Sequence, residues 1–464
     1  MQKNLKREDW NNLRLTIYLI TVVSFIVVAA CQPDEEQITN ERVLLSFSND
    51  SIVFDTIFSN ISSISRRLRV RNPASKAVII EQIQLAGGSN SPFNITVNGK
   101  TGTLFQDELL LGGDSLLVLA EVHIEPNNQN FPFLVDDEII FTTNGNLQSI
   151  KLVAWGQDVY FVNKQIISSD TTWTSEKPIL LLDSVLLDSS FTLTIEKGTK
   201  IFANSNGTLL VGGRLQINGT IEEPVIFTNS RLDLANAFGQ WQGLFFLRTS
   251  KNNKFENVQI RNAVNGIYLG TPDNDTIPDL VLKNVIIENM LGNGIIAFTS
   301  DIYAENLLIN HCAGGNVALY AGGYYYFTHC TLANFSRSYI RQAPIAIYSN
   351  HVEGDLVNDF RLDLYNSIIY GDQEEEVLFN FIDGSRVVLS IANNLLKTSN
   401  QDLEINQNIL NENPLFIDPA DYNYKLDTLS PAQKVAADEY LIPFDIGGNI
   451  REVNADLGVW ERQE

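Results

Sequence analysis

The sequence predicts an all-β protein in two parts, an N-terminal β-sandwich followed by a parallel β-helix solenoid, and three observations carry the prediction. Met occurs twice in 464 residues, Gly 29 times, and Ile, Val, Leu, Thr and Asn are abundant, a mixture that favours strands and tight turns over helices. Between about residues 43 and 158 short strand-like runs alternate with turn clusters. From about 160 to 410 one eight-residue template recurs at spacings of 27, 22, 23 and 37 residues, and a period in the low twenties is the length of a β-helix coil.

Length and charge narrow the function classes. A chain of 464 residues suits two or three folding units, and 44% hydrophobic residues exclude global disorder. Lys and Arg total 32 against 55 Asp and Glu, a net charge of −23. A phosphate backbone is repelled by such a chain, which argues against nucleic acid as a partner.

The N-terminus reads as a secretory signal. Lys3, Lys6, Arg7 and Arg14 precede an apolar run at 15–28, which is short of the roughly 20 residues that span a bilayer. Val28-Ala29-Ala30-Cys31 resembles the bacterial lipobox, and Gln32, Pro33, Asp34, Glu35 and Glu36 resemble the acidic tag of Bacteroidetes lipoproteins, with a plain solvated tether as the alternative. The resemblance implies removal of residues 1–30, a lipid on Cys31, an acidic tether over 31–42, and an outward-facing place on the outer membrane. Lipid rather than charge would then be the partner contact with the membrane.

Residues 43–158 hold runs at 51–54, 67–71, 77–80, 93–97, 115–120 and 139–142, separated by Asn72-Pro73, Gly87-Gly88 and Gly112-Gly113. The arrangement resembles the immunoglobulin-like modules of Bacteroidetes surface lipoproteins. Alternation places Arg67, Arg69 and Arg71 on one face, read either as an anion site or as an ordinary exposed strand face.

In the solenoid, predicted over 159–410, the template occurs at 255–262, 282–289, 304–311, 327–334 and 364–371. Its third position holds Asn257, Asn284, Asn306, His329 and Asn366, and its eighth holds Asn262, Asn289, His311 and Asn334. Amides at coil corners bond their equivalents above and below and satisfy turn backbone groups. These residues are therefore expected to form structural ladders, the two histidines substituting for Asn rather than acting in catalysis. Cys330 falls on an inward position and Cys312 at a turn, and a disulfide between them is left open. The longest step, from His329 to Asn366, holds an insertion.

Residues 191–202, 212–228 and 241–244 resemble the opening coils of right-handed parallel β-helix proteins of the pectate-lyase-like class, and 167–173 resemble its lead-in. Residues 413–419, 424–426, 430–432 and 456–461 resemble its closing segment, assigned to 411–464. That class includes lyases, hydrolases, epimerases, adhesins and spacers, so the resemblance specifies architecture and not chemistry.

A uronate lyase needs a Lys or Arg base beside carboxylates that hold calcium, and a hydrolase needs converging acids. The expected outward files are Glu256, Lys283, Glu305, Thr328 and Tyr365, then Gln259, Ile286, Leu308, Thr331 and Ile368. Neither contains an Asp-Asp pair, a Gly-His-Gly turn or an Arg-x-Lys triplet. No catalytic residue, metal site or cofactor is assigned, and calcium enters only under the lyase alternative. Glu256, Lys283 and Glu305 read most simply as alternating charge on stacked strands. Tyr324, Tyr325 and Tyr326 offer rings for sugar stacking, unless one packs inward. Asp-Ser or Asp-Thr triplets at Ser51, Thr56, Ser115, Thr171, Ser184, Thr276 and Thr428 resemble the O-glycosylation motif of secreted Bacteroidetes proteins and also suit a turn into a strand. The expectation is a lipid-anchored surface protein that binds a polysaccharide or surface glycan, or acts as a scaffold, without catalysis. A polysaccharide lyase or glycoside hydrolase is the alternative.

Overall fold

The computed structural model describes residues 38–39, 41–270, 277–335, 339–352 and 356–463. The expected signal, Cys31, the segment 32–36 and Thr276 lie outside the described residues. Contact clustering divides the rest into two units, one reaching Asn127 and including Pro132–Gln157, the other containing Asn128–Phe131 and everything from Asp158.

Among the described residues the first unit has ten strands: β1 (Ser46–Phe47), β2 (Ser51–Phe58), β3 (Arg66–Arg71), β4 (Val78–Leu85), β5 (Phe93–Val97), β6 (Lys100–Gly102), β7 (Leu104–Leu110), β8 (Ser115–Val122), β9 (Phe133–Thr143) and β10 (Asn146–Gln157). They form two five-stranded sheets, ordered β1-β3-β8-β5-β6 and β2-β10-β9-β4-β7. Period-two alternation explains the core, since Leu68 and Val70 on β3 and Val118 and Ala120 on β8 are fully buried with Ile80, Ile139 and Leu152 of the other sheet. Every strand pair is antiparallel except β2 with β10.

The second unit is a solenoid of 24 parallel-paired strands, from Tyr160–Val162 to Ile409–Leu410. The register through its central coils is regular. Phe255 pairs with Leu282, Leu282 with Ala304, Ala304 with Phe327, Phe327 with Leu364, and Leu364 with Ile391. These side chains form one core with Val258, Val285, Leu307 and Cys330. Cys330 and Cys312 are both buried and both free, so no disulfide joins them. Burial pushes each thiol up to about 12.

The third template position is a corner. Asn257, Asn284, Asn306, His329 and Asn366 all have φ between 48° and 55°, a left-handed conformation that Asn tolerates better than bulkier residues. Each bends the chain between two parallel-paired runs. The side chains then stack: Nδ2 of Asn284 donates to Oδ1 of Asn257 at 3.1 Å, Asn306 donates to Asn284 at 2.8 Å, and Asn366 contacts Nε2 of His329 at 3.2 Å. The eighth position repeats the device at Asn262 and Asn289, joined at 3.1 Å. Its ladder changes at His311, which bonds Oδ1 of Asn310, while Asn334 donates to the Cys312 carbonyl.

The segment after residue 411 does more than close the last coil. It runs along the outside of the solenoid, where Asn306 donates to the Phe444 carbonyl at 2.9 Å, Val459 N–H donates to Thr331 Oγ1 at 3.1 Å and Asn366 donates to the Ala437 carbonyl at 3.0 Å. Tyr424, Ile446 and Val459 pack on Leu308, and Leu426, Ala432, Ala436 and Leu457 pack on Ile368. The insertion before Phe360–Tyr365 is pinned by a buried ion pair, Arg341 Nη1 to Glu376 Oε2 at 2.7 Å, whose carboxylate also accepts the Ile345 and Gln373 amides.

Asn284→Leu should destabilise the protein by about 2–4 kcal/mol, combining left-handed strain with two lost amide bonds. Asn284→Gly, which removes only the ladder, should cost less, and Lys283→Ala should stay within about 0.5 kcal/mol. Urea denaturation of the three variants checks this order, and equal midpoints would refute the corner assignment.

Candidate functional site

Parallel register and alternation put three files of side chains on the outer face of the strands Asn253–Arg261, Leu280–Met290, Ile295–Cys312, Val317–Thr328, Phe360–Tyr365 and Val387–Ala392. The first runs Asp301, Tyr324, Arg361, Val388; the second Lys254, Val281, Tyr303, Tyr326, Asp363, Ser390; the third Glu256, Lys283, Glu305, Thr328, Tyr365. Successive members are about 4.8 Å apart along the solenoid.

The third file is the one expected from the template, and its far end differs from expectation. Thr328 is buried with its hydroxyl on the Tyr440 carbonyl at 3.1 Å, and Tyr365 is buried beneath Tyr440, the rings parallel at 3.6 Å. The closing segment takes this surface away. The apolar file is covered for the same reason, with Leu308, Thr331 and Ile368 buried under the segment. Tyr325 is also no part of the outer face. It occupies the alternate inward position, fully buried, with its hydroxyl on the Gly322 carbonyl at 2.9 Å.

The remaining groups are tied together. Lys283 pairs with Glu305 at 2.8 Å and sits over the Tyr303 ring, while Lys254 pairs with Glu256 at 2.5 Å. The Tyr303 hydroxyl donates to Glu305 at 2.5 Å, and the Tyr303 and Tyr326 rings stack at 4.7 Å and 3°. Those two rings face each other, so they present edges and hydroxyls outward and not the open faces that sugar stacking requires. Arg361 lies 4.8 Å over the Tyr324 ring and pairs with Asp363 at 2.8 Å, and Asp363 accepts the Tyr324 hydroxyl at 2.9 Å. Burial, then Asp363, pushes the Tyr324 hydroxyl up to about 12, and burial does the same for Tyr326, so both remain donors across ordinary pH.

At the start of these strands lies a cleft of about 660 Å³, bordered by Asp279, Asp301, Tyr324, Asp359, Arg361 and Arg386. Asn358 and Asp359 form its wall at the base of the hairpin made by His351–Val352 and Leu356–Val357, so the insertion builds the cleft. The carboxylates also hold the coils: Asp279 accepts the Asp301 amide at 2.9 Å, Asp301 the Tyr324 amide at 2.8 Å and Asp359 the Arg386 amide at 2.8 Å. Among the described residues no three His, Cys, Asp or Glu side chains group as a metal site would require.

Sequence reasoning missed Tyr303, Arg361, Asp363 and the aspartates of the cleft. All lie upstream of the apolar residue that opens the template, yet simple alternation back from Ala304 and Leu364 places Tyr303 and Asp363 outward. The histidines sit in structural positions. His311 stacks on Tyr422 at 4.3 Å and contacts the Tyr424 hydroxyl at 3.3 Å, and His329 is fully buried. Most of the described Asp-Ser and Asp-Thr triplets lie at strand starts or turns: Asp114 accepts the Ser115 amide, Asp183 the Ser184 amide, and Asp427 the Thr428 hydroxyl and Leu429 amide. Ser51 opens β2, Thr56 lies within it, and Thr171 opens Thr171–Trp173.

Residues 165–281 match the pectate-lyase-like β-helix domain. This stretch lies within the solenoid. No curated protein matches the chain. Among solved structures, the Vibrio cholerae VesB protease aligns at TM-score 0.16 and 16% identity over 24% of this chain and 31% of its own. A family 123 glycoside hydrolase from Clostridium perfringens, described for glycolipid glycan hydrolysis, aligns at TM-score 0.19 and 9% identity over 28% and 30%. The chain spans about a third of the length of each, and at these scores neither carries an argument.

The closing segment makes pH a test of the assembly. Burial lowers His311 to about 4, whereas an unfolded His binds its proton near 6.5. The unfolded chain therefore binds more protons in that window, and stability is complete above pH 6.5 and lost as pH falls toward 4. Burial raises Glu461 to about 7 from an ordinary 4.5, so its contribution has the opposite sign and fades as pH rises from 4.5 to 7. His311→Asn should flatten the acid limb of a stability–pH curve, and Glu461→Gln should flatten the limb toward pH 7. Curves parallel to wild type would contradict both placements.

Proposed function

We propose that the protein is a lipid-anchored surface component that binds a neutral glycan along the outer strand face and in the adjoining cleft, without cleaving it. The observation that carries this reading is the cleft edge formed by Tyr324 and Arg361, both anchored on the buried Asp363 and facing the carboxylates of Asp279, Asp301 and Asp359, so that donors and acceptors border a volume of sugar-ligand size. A sugar hydroxyl both donates and accepts, so such alternation suits a polyol. Three aspartates border the cleft against two arginines, which favours neutral over acidic polymers. The lyase alternative gains no support from Lys283, whose ammonium is neutralised by Glu305. The anchor rests on the position of Cys31 after an apolar run and two alanines.

Titration of neutral and uronate polymers, with and without calcium, tests the binding. Tyr324→Ala and Arg361→Ala should each weaken a neutral ligand by about tenfold or more, with Lys283→Ala close to wild type. Release of unsaturated uronates that Lys283→Ala abolishes would replace this reading with the lyase. No binding to any polymer would favour a bare scaffold.

Cys31→Ser should leave the protein unprocessed or out of the detergent phase. Replacing Asp34, Glu35 and Glu36 with Ala should leave it membrane-bound but protected from external protease. Unchanged partitioning would count against the lipid, and equal shaving against the tag.

A further inference from the structure

We infer that the outer face of the β1-β3-β8-β5-β6 sheet docks on a lipid surface bearing phosphate headgroups, an interaction separate from the glycan face. Arg67, Arg69 and Arg71 alternate with the buried Leu68 and Val70, so their side chains form one exposed row at about 7 Å intervals. Among the described residues none of the three has an ion pair, whereas Arg66, on the opposite parity, pairs with Asp55 at 2.8 Å.

Among the described residues their direct cross-strand partners carry no charge. Arg67 faces Leu119, Arg69 faces Leu117, and Arg71 faces Ser115 on one side and Ser46 on the other. The acid on this face of β8 is Glu121, which lies past the Arg67 end of the row, just beyond the Arg66–Ala120 pair, and takes the Ser65 hydroxyl. The other sheet shows what compensation looks like, with Lys151 directly opposite Glu138. In a chain with 55 acidic residues against 32 basic ones, a row of three arginines without an ion pair is a local concentration of positive charge that an external anion can meet. Leu117, 49% exposed within the row, adds an apolar contact suited to an interface between headgroups and acyl chains.

The path of the chain selects the occupant. Ile38 bridges Ala77, and Thr39 donates its amide to the Ala77 carbonyl at 2.9 Å, on the connection that leaves Arg71. Cys31 is seven residues earlier, a reach of at most roughly 25 Å. A lipid on Cys31 would therefore hold this end of the sandwich beside the bilayer. Surface potential decays within a Debye length of about 8–10 Å, so the face turned to the membrane decides the interaction, opposed by Asp34, Glu35 and Glu36 of the tether, while more distant acidic residues are screened. Each arginine near an anionic surface contributes about fivefold in partitioning, or on the order of a hundredfold for the row.

The test uses the chain from residue 31 onward carrying Cys31→Ser, so that no lipid contributes, floated with vesicles of phosphatidylcholine alone or mixed with phosphatidylglycerol. Flotation is expected with the mixed vesicles at low salt, and not at high salt or with phosphatidylcholine alone. The triple variant Arg67→Gln, Arg69→Gln, Arg71→Gln should lower it at least tenfold with an unchanged unfolding midpoint. Absence of flotation, or flotation that the triple variant leaves intact, would overturn the proposal. Retention on dextran sulfate without vesicle binding would also overturn it and assign the row to a soluble polyanion. The glycan reading is unaffected by any of these results, since Tyr324 and Arg361 report on it separately.

Discussion

Each coil of the solenoid has to turn its corner at the same place, and a left-handed residue there is the constraint on which the rest depends. A residue at φ near 50° bends the chain sharply enough to start a new strand within one step. Asn accepts that conformation and projects an amide that both donates and accepts, so the same residue that permits the bend also links one coil to the next. With the corner amides in line, every strand between corners is held in register, and a one-residue slip would exchange core for surface. The outer files of tyrosines, carboxylates and bases are a consequence of that alignment.

The outer surface of a β-helix is long and repetitive, and this chain divides it by length of cover. One face is left open and polar, with its cations and anions paired within a strand, as Lys254 with Glu256 and Arg361 with Asp363, or between neighbouring coils, as Lys283 with Glu305. The adjacent face is apolar and is taken by the C-terminal segment, whose small residues Ala432, Ala436 and Ala455 allow close approach to the strands. The insertion of the long coil supplies the third element. It raises a hairpin at the strand start and is held from beneath by the buried pair Arg341 and Glu376, a charge pair whose separation would strand an ion in the interior.

Much of this was legible from residue pattern. The spacing of Asn257, Asn284, Asn306 and Asn366 is a local signal repeated, so period and corner chemistry could be read together. Alternation likewise separates Tyr324 and Tyr326 from Tyr325. What was not legible is long-range. Nothing near Tyr365 indicates that Tyr440 will cover it, and Asn306 meets Phe444 from 138 residues away. The apolar character of Ile286, Leu308 and Ile368 is readable in the sequence, but that a segment with no repeat of its own covers them is not. The cleft escaped because Asp279 and Asp359 precede their strands, Asp301 lies inside a long one and the three carry no shared motif, and because Arg361 and Asp363 follow an insertion that interrupts the period.

The lateral course of the final segment also bears on biosynthesis. In a solenoid whose strands from Asn253 to Leu396 have formed before residues 414–460 dock, Leu308, Ile368 and Leu395 have no cover. Such an intermediate presents a contiguous oily strip along several coils, the kind of surface that holdase chaperones retain and that self-associates when they do not. Completion of the last fifty residues thus decides between a soluble solenoid and a sticky one. Premature stop codons in that region should be far more damaging than the small number of residues removed would suggest.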